Sequence, residues 1–275
     1  MTTRVAIRGP VGAPKGNETN NIQEAHGGVG RGSLNSSHVD EMTSTEFARA
    51  VRRNPLVILP VGALEEHGPH LPLSADILQP MALAKAIAKS RRVLILPPLW
   101  YGYCSSTRGF PGTVSIEVDT LRLVARDLVE DIYRNGVRKL LVLSGHAGSG
   151  HMAALREGAK EVAGRHEDYR IAVLTDYDFA YELLGKDGIP AKDGHAGFVE
   201  TSRVLAAAPR LVKGHARVKP DWPAFNRHEI LGRPETKWKT GVQGDPRKAS
   251  ASVGRKVDAY VLKRTLELID EVFGN

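Results

Sequence analysis

Two runs, Leu56–Val61 (LVILPV) and Lys139–Ser144 (KLLVLS), constrain this chain more than any other feature, because apolar residues follow one another in them without polar alternation. A strand of that kind is buried on both faces, the situation of a parallel sheet with helices on either side. Val93–Leu99 and Ile171–Leu174 read as two further strands. Between them lie helical stretches: Thr43 or Ser44 caps one that reaches about Asn54, and Met81–Ser90 follows with Pro80 at its first position. Ser115–Asn135, stopped by Gly136, is a long amphipathic helix, and His151–His166, Val199–Ala208 and Val257–Phe273 complete the set. Strands alternating with helices predict an α/β fold with a mostly parallel central sheet.

Residues 1–40 differ from the rest. Rich in Gly, Asn, Ser and Pro, they carry almost no apolar periodicity and predict a flexible or extended arm ahead of a single domain over 41–275. The chain has one cysteine, Cys104, which rules out an internal disulfide and a thiolate zinc site. No run approaches the roughly 20 apolar residues that cross a bilayer, and residues 1–40 lack the apolar stretch expected of a secretory signal. A reducing, cytoplasmic setting is expected, with no membrane partner. The net charge is +7, and Arg210–Lys248 alone holds ten Lys/Arg against four Asp/Glu. These charges are scattered among Pro, Gly and Trp, without a helical stripe. They read as a solvated or subunit-facing loop, with an anionic-substrate funnel as the alternative, and nucleic acid is not expected as a partner.

In open parallel sheets the working residues gather beyond the carboxyl ends of the strands. The first strand runs into Gly62-Ala63-Leu64-Glu65-Glu66-His67-Gly68-Pro69-His70, where Glu65 and His67 fall on one side of an extended segment and Asp76 follows after a short loop. The third ends in Ser144-Gly145-His146-Ala147-Gly148, and Gly194-His195-Ala196-Gly197 leads through Glu200 into a helix. Carboxylates and imidazoles in this mixture suit zinc or manganese, with iron or cobalt also acceptable.

The segment from Pro60 to Pro72, followed by Asp76, resembles the first signature of the creatininase family. Ser144–Gly148 resembles its second motif and His195–Ser202 its third. Tyr101-Gly102, Phe110-Pro111-Gly112-Thr113 and Gly241–Pro246 match further family loops. The likeness spans residues 43 to 273 and implies a three-layer α/β/α sandwich and a homohexamer. It also implies one or two divalent metals per chain, held by Glu65, His67, Asp76 and His146, with Asp76 bridging a pair. In the family's type member a Glu two residues beyond the motif-two histidine binds metal; Gly148 stands there here, and Glu200 is the expected replacement. His195 matches the catalytic base or proton shuttle.

This chain departs from the family pattern at Thr107, where a His is common, and at Ser144 and Ser149, which replace asparagines. Asp176-Tyr177 stands where an aromatic substrate wall is found. These changes argue against creatinine itself. Tyr101, Arg108 and Tyr177 are candidate substrate contacts. His70 is expected to orient a ligand, His151 to be structural, and Glu66 to face away from Glu65 and His67. Cys104 is a possible pocket residue without any neighbour in sequence that lowers its pKa. The three tryptophans are expected in the core or at interfaces.

The implied activity is hydrolysis by metal-activated water of a small carbonyl substrate, most simply at the C–N bond of a cyclic amide. Ring opening at a C–C bond of a cyclic diketone, such as a dehydrogenated inositol, needs the same ligands. A non-catalytic metal- or ligand-binding protein is the reading from another class.

Overall fold

Four strands form the centre of the molecule: β1 (Leu56–Val61), β2 (Val93–Ile95), β3 (Lys139–Ser144) and β4 (Arg170–Thr175). The computed structural model describes residues 37–274 apart from 224, 225 and 227. The strand order is β2-β1-β3-β4 and every pairing is parallel. Parallel neighbours require crossovers, which the helices supply: α1 (Ser44–Val51), α2 (Ala75–Ser90), α3 (Val118–Arg134), α4 (Ser149–Ala163), α5 (Tyr177–Ala180), α6 (Phe198–Ala207) and α7 (Ala251–Phe273).

The apolar runs divide their side chains between two cores. Val57, Leu59 and Val61 of β1 join Leu140 and Val142 of β3 in one core, packed on Leu121, Ala125 and Val129 of α3 and Leu155 and Ala159 of α4. Leu56 and Ile58, with Leu141 and Leu143, enter the other, against Leu83 and Ile87 of α2, Val199 of α6, and Val257 and Val261 of α7. Helices cover both faces, so the sandwich has three layers, as expected.

Element ends differ from the sequence expectation in two instructive places. The second strand was expected to reach Leu99 but ends at Ile95, because Pro97 and Pro98 have no N–H for the ladder. The chain stays alongside β1 nonetheless, with the Leu96 and Leu99 amides donating to the Ile58 and Pro60 carbonyls at 2.9 and 3.0 Å. The second helix begins at Ala75, six residues before the expected Met81, and carries Pro80 inside it. Proline there removes the bond to the carbonyl four residues earlier, which belongs to Asp76. Thr43 proves to be the cap of α1, in a capping box with Glu46.

Residues 1–36 of the expected arm lie outside the described residues. Its last residues do not stand off from the domain: the Ile95 amide donates to the Ser37 carbonyl at 2.8 Å. Among its described residues the basic Arg210–Lys248 stretch forms short 3-10 turns separated by loops. Some of its charges are locally paired, Lys237 with Glu229 and Arg247 with Asp245. Among the described residues no helix is long and apolar enough to cross a membrane.

Candidate metal centre

The carboxyl ends of β1 and β3 lie side by side, and the first turn of α2 is pressed against them. Three local devices permit that approach. A side-chain carbon on Gly62, after β1, or on Gly145, after β3, would collide with the Asp76 carbonyl. Pro80 leaves the same carbonyl without its helical donor. Asp76 is thereby set at the amino end of a helix, where the macrodipole favours a carboxylate. We expect Gly145→Ala to push Asp76 off the strand ends and to cut bound metal several-fold, measured as ions per chain by elemental analysis. Full occupancy in that variant would show the close approach to be dispensable.

Around Asp76 the predicted ligands converge. Its Oδ1 lies 3.1 Å from His67 Nε2, which is 3.2 Å from Glu200 Oε1. Its Oδ2 lies 3.1 Å from His146 Nδ1, which is 2.8 Å from Glu65 Oε2. One carboxylate thus faces two donor groups, one through each oxygen. All five side chains are buried. Two donor atoms bound to one zinc at about 2.0–2.2 Å in tetrahedral geometry stand roughly 3.3 Å apart, close to the spacings seen here.

A metal is what such a set fits. Glu65 Oε2 and Asp76 Oδ2 are buried and accept no hydrogen bond, although both lie near one imidazole nitrogen. A single N–H cannot point at both, whereas a shared cation satisfies all three atoms. The protonation pattern agrees. Burial opposes charge on His67 and His146, yet the carboxylates of Glu200, Asp76 and Glu65 hold both rings well above the usual imidazole range. Burial likewise opposes ionisation of Asp76 and Glu200, and the imidazoles outweigh it and hold both well below the usual carboxylate range. The acceptors are arranged for positive charge.

Glu200 is held firmly. Its Oε1 accepts from the Tyr177 hydroxyl at 2.7 Å and the Gln79 amide at 3.2 Å. Its Oε2 accepts from the Ala196 amide at 2.6 Å. That amide is aimed inward by a backbone φ of 53° at Ala196, a strained value for a residue with a side chain. Asp193 caps α6 through the Phe198 and Val199 amides at 2.8 and 2.7 Å. Thr107, where a family histidine is common, donates to Glu65 Oε1 and leaves the other oxygen for an ion.

Above the donors opens a cavity of about 380 Å³, lined among others by Glu65, Asp76, His146, Glu200, Thr107, His195 and Trp238. His67 is not among its lining residues. His195 stands at its margin, one ring nitrogen within 4.8 Å of donor atoms of Glu65 and His67. Its Nε2 lies 2.8 Å from the Glu66 carbonyl, and only a protonated nitrogen can make that contact. The Glu66 carboxylate turns to the same ring at 3.4 Å. Trp238 meets His195 edge-on at 5.4 Å between ring centres, which places that tryptophan in the cavity wall.

The three candidate substrate contacts separate. Tyr177 lines the cavity but is committed to Glu200 and Gln79. Arg108 is outside the lining, exposed and paired with Glu117. Tyr101 is 47% exposed and also outside the lining. Of the other histidines, His70 Nε2 is 2.8 Å from Thr201 Oγ1, and His151 is buried between Ser144 and the Tyr103 amide. Gln79, Thr107 and Trp238 were not singled out as site residues. Only Thr107 had a signal in sequence, as a departure from the family histidine.

Residues 40–269 match the family model described as Creatininase: Creatinine amidohydrolase. The chain is 35% identical over 195 residues (64% of this chain, 74% of the relative) to creatinine amidohydrolase of Pseudomonas putida. It is 30% identical over 225 residues (76% and 81%) to mycofactocin precursor peptide peptidase of Mycolicibacterium smegmatis. A shorter match, 29% over 106 residues (38% and 34%), is to 3-dehydro-scyllo-inosose hydrolase of Thermotoga maritima. Two solved structures, a creatininase mutant titled "Zn-Zn type" and one titled "Creatininase Mn", superpose with a TM-score of 0.79 each. They are 28% and 27% identical, over 87% of this chain and 99% and 100% of theirs. With the ordered motifs, the sandwich and the converged donors already in place, these matches show that the chain belongs to the creatininase family.

Proposed function

We propose that this hydrolase acts with one or two zinc or manganese ions on a small carbonyl compound and cleaves a C–N bond, most simply that of a cyclic amide. The observation that carries the reading is the pair of donor groups sharing Asp76 beneath a cavity of small-molecule size. When bound, the ions supply Lewis acidity, which polarises a carbonyl and makes water a usable nucleophile at neutral pH.

The chain supplies the rest. With Nε2–H donated to the Glu66 carbonyl, the other nitrogen of His195 carries the lone pair, and the ring can take a proton from water and return it to the departing nitrogen. Burial opposes a charged ring, but the carboxylates of Glu65, Glu66 and Glu200 raise its pKa, which favours this holding of the proton. Gly145–Gly148, leading into the start of α4, border the cavity where a carbonyl oxygen would develop charge, and a helix amino end favours that charge. Trp238 supplies an apolar wall for the body of the substrate.

Chelated protein should lose hydrolysis of a panel of cyclic amides, formamides and peptide ends, and recover it on adding zinc or manganese. His195→Ala should keep its ions and lose about 10²–10⁴ in turnover, the usual worth of a general acid–base group. Undiminished turnover in chelated protein would refute the reading. The match to an inosose hydrolase favours a second possibility, C–C ring opening of a cyclic diketone, and identification of the products separates the two. A cytoplasmic setting and a homohexamer belong to the same proposal. Exposed Leu73, Trp100 and Val114 offer apolar surface for such assembly, and the solution mass, as a multiple of 29.9 kDa, reads it directly.

A further inference from the structure

Cys104 lies beside the donor set without a role in the reaction described above. It sits in the loop after β2, is 1% exposed, and its backbone amide is fixed by the Ser115 hydroxyl at 3.0 Å. Its sulfur lies with a carboxylate oxygen of Glu65 and a ring nitrogen of His146 in a group whose atoms are all within 4.8 Å of one another. A second observation independently points to a ligand at the same place: the buried Glu65 Oε2 and Asp76 Oδ2, both without a hydrogen bond.

We propose that Cys104 is a metal ligand, completing with Glu65, His146 and Asp76 a mixed oxygen, nitrogen and sulfur site. This inference rests on the metal-dependent reading above and deepens it. The single cysteine, which by count argued against any thiolate site, is brought by the fold to carboxylate and imidazole donors that make further cysteines unnecessary. On ion uptake the S–H bond breaks, the sulfur keeps the electron pair as its bond to the metal, and the proton leaves to solvent. No oxidant or reductant is needed.

The ligand type has a chemical consequence. Thiolate is a soft donor that favours zinc or cobalt, whereas manganese prefers oxygen. The two seats on Asp76 therefore differ in kind: the Glu65 side is selective for zinc, and the His67–Glu200 side, with oxygen and nitrogen donors only, accepts manganese as well.

The test is optical. Protein stripped of metal and loaded with cobalt(II) should show a sulfur-to-cobalt charge-transfer band in the near ultraviolet. Since the chain contains one cysteine, such a band has one possible source. Cys104→Ser, an isosteric change, should abolish the band, keep the far-ultraviolet circular dichroism, and lower zinc affinity at one seat by about tenfold or more while leaving manganese affinity nearly unchanged. Cobalt bound at full occupancy without the band overturns the proposal and leaves the hydrolase reading standing. Protein that binds neither cobalt nor zinc overturns both.

Discussion

Asp76→Asn is expected to strip the protein of bound ions and of hydrolytic activity together. The amide keeps the shape of the side chain and the start of α2, so the fold should persist. It removes the one charge that faces both His67 and His146, and an amide bridges two cations poorly. Outer-shell partners of metal sites cost 10–100-fold in affinity, and a shared ligand should cost more than about a hundredfold at each seat. Elemental analysis after gel filtration measures the loss. A variant that keeps its full complement of ions would mean that Asp76 does not bridge.

The second large effect is expected at a residue outside the donor set. Arg203 is buried, with its Nη2 2.7 Å from Asp176 Oδ2 and its Nε 2.7 Å from Asp258 Oδ1. These contacts tie α6 to the segment after β4 and to α7. Its guanidinium also lies over the Tyr177 ring at 5.5 Å. Asp176 is fully buried, and Arg203→Met would leave that carboxylate unpaired. Breaking a buried pair in this way costs about 3–5 kcal/mol, and in a domain of this size roughly 2–4 °C of melting temperature is lost per kcal/mol. A fall of about 10 °C or more is expected in calorimetry. Asp258→Asn, on the partly exposed arm, should cost about 1 kcal/mol or less. Equal melting temperatures for Arg203→Met and the parent would remove Arg203 from any account of stability. Because Tyr177 donates to Glu200, the same variant should also loosen one metal ligand.

What the sequence disclosed and what it hid follow from the range of the interactions. The sheet was legible because unbroken apolar runs have few ways to be buried. The donors were legible because carboxylates and imidazoles recur just beyond strand ends and at helix starts, with a glycine beside His67 and His146. Pro80 misled: taken as a helix opener, it is instead the gap that frees the Asp76 carbonyl, which only the neighbouring Gly62 and Gly145 explain. The role of Tyr177 was hidden for a similar reason. An aromatic residue after a strand resembles a substrate wall, and its bond to Glu200, 23 positions later, appears only in three dimensions. Arg108 drew attention by its charge, but its neighbour Glu117 satisfies it on the surface. Cys104 gave no local sign because its partners come from other strands.

The donors come from four separate stretches: the loop after β1, the opening turn of α2, the end of β3 and the first turn of α6. An unfolded chain holds them too far apart to grip a cation, so binding energy at the centre is also folding energy. Each ion then acts as a rivet between layers of the sandwich. A cell short of metal would be left with an idle enzyme that is also a softer and more easily degraded one.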